Sequence, residues 1–349
     1  MLKIIAIGDP HFQTDNILEV ELFINRIEEL CRKQKANFIV ILGDLLHTHE
    51  RLHTIPLNKA YDFVDRMRKI SETIVLVGNH DYISNQEFLS KNHWMDGMKE
   101  WSNVTIVDKI IIKELDGFKF VFTPYVYLGR FLEALNTSNY DWKKATCIFA
   151  HQEFYNCKMG AILSIEGDRW PLDYPQIVSG HIHSNQTPQK NIYYPGASMQ
   201  HAFGESENTI IPILTWEKKN KPYHLEEIDL GLPKKKIIYT DVDRIEDLKL
   251  PQTQDKIKIT LSGVYDDFKA FKKTRKYKEL IQEGRKVVFK PKRTTKNDNE
   301  EENIEQTDKT NFTSILSALI NKSKNPFLNQ AYELIINNKE INEDDVIFL

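Results

Sequence analysis

The chain has 349 residues, 41% of them hydrophobic, and a formal net charge of −3. This excludes an intrinsically disordered chain and leaves room for one large domain with a smaller companion. Three cysteines (Cys31, Cys147, Cys157) without CxxC spacing, and no apolar run of membrane-spanning length, argue against a disulfide scaffold and against a membrane protein.

Residues 3–8 form an apolar run ending in Gly8, the pattern of a buried strand. Ile17, Val20, Leu22, Ile24, Ile27 and Leu30 recur at roughly helical spacing, which predicts a helix over 16–32. Residues 37–42 give a second strand, 57–70 an amphipathic helix and 73–77 a third strand. This alternation predicts βαβ units and a parallel sheet, and the unbroken apolar runs predict strands covered on both faces. From residue 104 the strands shorten. Residues 104–107, 110–112, 118–122, 147–150, 176–179, 191–194 and 210–216 read as a second sheet packed on the first, with Asp116-Gly117 as a hairpin turn. Cys147 falls in one of these strands, as a small core residue. Beyond 231–236, residues 256–262 alternate with period two, 266–282 read as one helix ending near Gly284, and 286–290 as a strand.

The expected organisation is an α/β domain over 1–230, a small basic α+β cap over 231–293, a flexible linker over 294–310 and a helical tail over 311–349. Almost nothing in the linker is apolar. In the tail, Phe312, Ile315, Leu316, Leu319 and Ile320 make one stripe, and Phe327, Leu328, Tyr332, Ile335 and Ile336 another. Met1-Leu2-Lys3 runs directly into a core strand, an unlikely start for a secretory leader. The expected location is the cytoplasm, or the nucleus or viral factory for a eukaryotic virus.

Five motifs stand at the ends of predicted strands: Asp9 with His11, Gly43-Asp44, Gly78-Asn79-His80-Asp81, Ala150-His151, and His181 with His183. Residues two apart in extended chain share a face, so Asp9 and His11, or His181 and His183, can address one point. For any single histidine a solvated or buried structural role is the ordinary reading. A whole ordered set of carboxylate, amide and imidazole groups at strand ends is instead the mixed oxygen and nitrogen environment of hard and borderline metal ions.

In order and strand context these motifs resemble the calcineurin-like metallophosphoesterases over roughly residues 3–200. The resemblance implies two packed mixed β-sheets flanked by helices, a four-layer sandwich. It also implies two divalent ions, with Mn²⁺ expected. Asp9, His11, Asp44 and His183 would hold one ion, and Asp44, Asn79, His151 and His181 the other, with Asp44 bridging. His80 matches the catalytic histidine, expected to act on the phosphate as imidazolium. Asp81 and Glu153 are candidates for orienting the ligands. Two departures, Pro10 inside the first motif and Ala150 where many relatives have glycine, remove no ligand.

Three features turn the expectation towards DNA. Gly-Asp-Leu-Leu-His47 resembles a stretch of the SbcD-type DNA repair and recombination nucleases, including the T-even phage exonuclease subunit, which gives His47 a catalytic role. His49 and His53 read as solvated loop residues. Lys272, Lys273, Arg275, Lys276, Arg285 and Lys286 in the cap, with Tyr277 and Phe289 among them, form a DNA-binding candidate whose affinity would depend on salt. The linker and apolar tail resemble the segment by which such nucleases dock on an SMC-like, SbcC-type ATPase. A stretch from Tyr194 through Pro195, Gly196 and Ala197 to Ser198, with Phe203-Gly204-Glu205 after it, resembles an element that shapes the active-site rim. A homodimer contact is expected around 57–67. The resulting expectation is a metal-dependent DNA exonuclease, with single-strand endonuclease activity as an extension. The alternative is a metallophosphoesterase of smaller substrates, a cyclic phosphodiesterase or a protein phosphatase.

Overall fold

The structure is a computed structural model that describes residues 1–292, apart from 50, 219, 220 and 252, and seven helical positions beyond them (316, 317, 320, 322, 327, 328 and 332). The linker expected over 294–310, Arg293 and nearly all of the tail over 311–349 lie outside the described residues. Residues Met1–Lys290 form one compact unit and Pro291–Leu349 a second.

The chain opens with β1 (Leu2–Ile7), α1 (Ile17–Gln34), β2 (Phe38–Ile41), α2 (Thr54–Arg68), β3 (Glu72–Leu76) and β4 (Val104–Val107). These four strands are parallel neighbours. Helix α1 buries Val20, Phe23, Ile24, Ile27 and Cys31, one face at three- and four-residue spacing, and ends at Lys35 in the left-handed conformation. Helix α2 turns Ala60, Phe63, Val64 and Met67 into the core. A dimer contact through 57–67 is therefore left with the polar side of that helix, or with Leu52 and Ile55, exposed at its start.

Next come β5 (Ile111–Leu115), β6 (Phe118–Phe122), α3 (Phe131–Asn136), β7 (Cys147–His151) and a small hairpin, β8 (Lys158–Met159) with β9 (Ile162–Leu163). They are followed by β10 (Gln176–Gly180), β11 (Gln186–Gln189), β12 (Ile192–Tyr194), β13 (Ile211–Trp216) and β14 (His224–Ile228). The strand orders are β14-β13-β1-β2-β3-β4 and β11-β12-β10-β7-β6-β5. Asp116 and Gly117, both at positive φ, make the tight turn between β5 and β6.

Two expectations change here. Residues 104–107 and 210–216 belong to the first sheet: β4 lies parallel to β3, and β13 runs antiparallel along β1. A short apolar run carries no mark of which sheet it joins, so only the crossovers decide. Strands β11 and β14, at sheet edges, were not legible because their side chains are mostly polar.

The faces alternate along the strands. Ile5, Ile7, Ile39, Ile41, Val75 and Val77 pack under α1 and α2. Ile4, Ala6, Val40, Leu42, Ile74 and Leu76, together with Trp216 of β13, face Phe120, Phe122 and Phe149 between the sheets. The outer side of the second sheet buries Ile148, Ala150 and Ile177 under Phe131, Trp142 and Trp170. Helices, sheet, sheet and outer layer make the four-layer α/β sandwich, and every central strand is apolar on both sides.

A third sheet, β15 (Lys235–Asp241), β16 (Lys256–Gly263) and β17 (Lys286–Pro291) in that order, carries α4 (Tyr265–Phe271) and α5 (Arg275–Gln282). Its own core includes Ile257, Ile259, Leu261, Phe268, Phe271 and Leu280. The single helix expected over 266–282 is two. The break falls at residues 272–274, where Thr274 Oγ1 accepts from Tyr277 N at 3.2 Å and caps α5. Among the described residues no helix is long and apolar enough to cross a membrane.

Candidate metal centre

The site lies where β1, β2, β3, β7 and β10 end, so five loops from two sheets converge on one point. Each loop turns sharply. Asp9, His11, Asp44 and His181 all hold positive φ, between 37° and 80°, a left-handed backbone that non-glycine residues rarely adopt. Asn16 fixes the first loop: its Nδ2 donates to His11 O at 3.0 Å, and its Oδ1 accepts from Gln13 N at 3.0 Å. Gly78 leaves room for its neighbour, because a Cβ there would collide with the Asp44 carboxylate. At Gly43, with φ of 103°, a Cβ would press on His151 Nδ1.

Asp44 stands between two groups. On one side its Oδ2 is 3.4 Å from His11 Nε2, which is 3.0 Å from His183 Nε2. On the other, the same Oδ2 is 3.4 Å from His151 Nε2, which is 3.0 Å from Asn79 Oδ1. His181 Nδ1 lies 2.9 Å from that amide oxygen. Asp9 Oδ1 accepts from His181 N at 2.8 Å and lies 3.7 Å from His151 Nδ1. Its Oδ2 and His11 Nδ1 are buried without a hydrogen-bond partner.

The donor set fits cations. His151 Nδ1 donates to Leu42 O at 2.7 Å, which leaves Nε2 with its lone pair facing the Asn79 oxygen and the Asp44 carboxylate. Asn79 Nδ2 donates to Asn85 Oδ1 at 3.2 Å, so its oxygen is turned inward. Acceptors facing acceptors in a buried site require a positive charge among them. Burial opposes the charged form of His151, yet the Asp44 and Asp9 carboxylates raise its pKa to about 9. His11, also buried, falls well below the ordinary histidine range.

His80 and His47 come together. His80 Nδ1 donates to the His47 carbonyl at 2.6 Å, leaving Nε2 as its free nitrogen. Burial lowers the His80 pKa from the ordinary histidine value, and the Asp44 carboxylate only partly offsets it. His49, read from the sequence as a solvated loop residue, stacks on His80 with centroids 4.5 Å apart, and His47 lies on a parallel plane at 5.6 Å. His53 is exposed, at the start of α2. Asp81 braces the loop through Gly78 N at 3.0 Å and Trp94 Nε1 at 3.0 Å, and burial beside the Asp44 charge raises its carboxyl to about 7. Glu153 lies 3.8 Å from His181 Nε2.

Two residues of the site were not singled out as ligating or orienting groups by the sequence. His201 packs against His11 and His183, with centroids 4.7 and 5.1 Å away, and its Nε2 is 2.9 Å from Asp9 O. Burial lowers its pKa to about 3, so it is neutral and able to ligate. Glu205 accepts from His201 N at 2.7 Å and Ala202 N at 2.9 Å, and holds His183 Nδ1 at 3.3 Å. His201 lies between the two parts of the rim element, and Glu205 belongs to its second part, Phe203-Gly204-Glu205, which was read as rim and not as an orienting group. Within the first part, Ala197 N donates to His183 O at 3.0 Å, and Ser198 N to Gly8 O at 2.8 Å.

The DNA-binding candidates lie on the helices and last strand of the third-sheet unit: Lys272 and Lys273 after α4, Arg275 and Lys276 in α5, and Arg285 and Lys286 at β17. Lys272, Lys273, Arg275 and Lys286 are exposed. Arg275 pairs with Glu279, Lys276 reaches Leu248 O at 3.4 Å, and Arg285 reaches Asp255 O at 3.3 Å.

A four-layer α/β sandwich with a carboxylate-bridged histidine and amide site at its strand ends defines a metal-dependent phosphoesterase. The chain belongs to the calcineurin-like phosphoesterases, whose family profile matches residues 2–185. Phosphoesterase 078R of Invertebrate iridescent virus 3, provisionally so named, is 47% identical over 300 residues, 84% of this chain and 86% of that protein. Its counterpart 244L of Invertebrate iridescent virus 6, named with the same reserve, is 50% identical over 279 residues, 78% of this chain and 98% of that one. A solved archaeal phosphodiesterase aligns with 65% of this chain and all of its own, at 15% identity and a TM-score of 0.34.

Proposed function

We propose that this phosphoesterase is a two-metal DNA exonuclease, with endonuclease activity on single-stranded DNA as an extension, using Mn²⁺. The observation that carries the two-metal reading is the position of Asp44 Oδ2, 3.4 Å from a histidine of each group. Bound ions would clamp the phosphoryl oxygens and lower the pKa of a water. Asp9, His11, Asp44 and His183 are the proposed ligands of one ion, and Asp44, Asn79, His151 and His181 of the other.

The remaining work falls to histidines. The His47 carbonyl accepts from His80 Nδ1 and so presents Nε2 as the nitrogen that contacts phosphate; protonated there beside the phosphate's negative charge, the imidazolium passes its Nε2 proton to the leaving oxygen and returns to the neutral ring. DNA is favoured over a small ester by the exposed Lys272, Lys273 and Lys286 beside and on the third sheet, which is joined to the site. Gln200, next to His201, exchanges two hydrogen bonds with the Lys235 backbone, at 2.6 and 3.1 Å. An SMC-like ATPase bound through 311–349 is the proposed partner, on the strength of that segment's apolar stripes.

The test compares Mn²⁺-dependent turnover of labelled single- and double-stranded oligonucleotides with that of a cyclic nucleotide, a phosphopeptide and p-nitrophenyl phosphate. Cleaved DNA is expected, with His80→Ala abolishing cleavage while salt-sensitive DNA binding persists. Intact DNA alongside rapid turnover of a small ester would transfer the protein to the smaller-substrate class.

A further inference from the structure

We propose that the cavity beside His181 and His183 is a nucleobase subsite, in which Phe203 stacks on the base next to the scissile phosphate. This rests on the DNA-cleaving reading above and adds to it where the substrate's base goes.

The cavity has a volume of about 800 Å³ and opens between the β8–β9 hairpin and the loop of residues 203–206. That is within the usual size of a small-ligand site, and ample for a nucleoside. Its floor is formed by His181 and His183, so a nucleotide held by its phosphate at the metal centre has this space directly at hand. Met159 and Phe203 give it apolar surface, and Lys158 stands at the base of the hairpin wall. Glu205 also lines it, but its carboxylate is engaged by His183 and by the His201 and Ala202 amides.

Phe203 is the informative residue. It belongs to none of the buried hydrophobic clusters among the described residues, although it is a large aromatic on a short loop. Lys258 of β16 holds its Nζ 6.0 Å from the centroid of that ring. A half-buried aromatic lining a cavity at a phosphate-handling centre is the arrangement on which bases stack. The opposite wall is anchored. Lys158 N donates to Gln186 Oε1 at 2.8 Å, and Gln186 Nε2 returns to Lys158 O at 2.9 Å. Every base has a π-face, so this subsite tolerates any sequence while distinguishing a nucleotide from a base-free ester.

Steady-state cleavage by the full chain with Mn²⁺ tests the subsite on two labelled strands. One is ordinary; the other carries abasic residues on both sides of the scissile bond. Loss of one stacked base predicts that Phe203→Ala raises KM on the ordinary strand by about fivefold or more. On the abasic strand the variant should match the wild type, and Phe203→Trp should keep wild-type KM on both. Equal KM for wild type and Phe203→Ala on the ordinary strand, or equal losses on both strands, would overturn the subsite alone. A wild-type protein that cuts neither strand would overturn the DNA reading and the subsite with it.

Discussion

Asp9, His11, Asp44 and His181 each carry a backbone conformation that costs on the order of 1–3 kcal/mol in a non-glycine residue. Their neighbours hold them there: His11 N donates to Asp44 O at 2.9 Å, and His80 N to Asp44 Oδ1 at 2.9 Å. Strain of this kind aims each side chain off the end of its strand and into the common point. Glu205 does the corresponding work for His183 from outside. It accepts two backbone amides and touches the ring nitrogen that faces away from His11. His183 and those amides keep its carboxyl well below the usual range, against the effect of burial. Glu205→Gln keeps the shape and removes the charge that makes His183 a better donor. Mn²⁺ affinity should fall about 10- to 100-fold by calorimetric titration. Unchanged affinity would leave Glu205 with a purely structural part in its loop.

At the scale of elements, the strands and helices of the first half were legible because each apolar run is long, bounded by Gly-Asp or Gly-Asn and covered on both faces. Asp9, His11, Asp44, Asn79, His80, His151, His181 and His183 were visible for the same reason, since a strand end is where a polar residue breaks the run. His201 lies after an irregular loop and interrupts no pattern, and Glu205 was legible only as part of the rim stretch, because a polar loop does not mark which of its groups faces a ligand. His49 was hidden because stacking on His80 depends on the path of the loop over 47–53. The segment between Asp81 and β4 was also unread, and it is held by ions. Asp108 Oδ2 binds Lys99 Nζ at 2.6 Å and lies 3.4 Å from His93 Nε2. His93 Nδ1 accepts from Met95 N at 3.1 Å, so Nε2 carries the proton towards the carboxylate. Burial alone would raise the Asp108 pKa, but His93 and Lys99 more than offset it and the carboxyl is depressed. The unfolded chain therefore binds this proton first as pH falls. The stabilisation is fully present above the unfolded value near 4, and is lost as pH drops towards the folded one. Asp108→Asn should cost about 1.5–3 kcal/mol at pH 7 in urea unfolding, with the difference shrinking below about pH 4. A pH-independent difference would remove the ionic explanation.

For the molecule as a whole, the metal centre is a joint between the two large sheets. Asp9 and His11 follow β1, Asp44 follows β2 and Asn79 follows β3, all in the first sheet; His151 ends β7, and His181 and His183 follow β10 in the second. The sheets also share the core of Ile4, Val40, Phe120, Phe149 and Trp216, so neither retains its packing if the other unfolds. A ligand that binds only the folded state stabilises it by about 2.7 kcal/mol at a hundred times its Kd. With ligands drawn from both sheets, that stabilisation applies to the pair and not to one of them. Calorimetric melts of the full chain, in chelator and then with rising Mn²⁺, should show one transition for the two sheets that moves upward by several degrees. Asp44→Asn removes the charge adjacent to both groups and should abolish most of that upward movement. Two separate transitions, only one of them moved by Mn²⁺, would mean that the centre belongs to a single sheet.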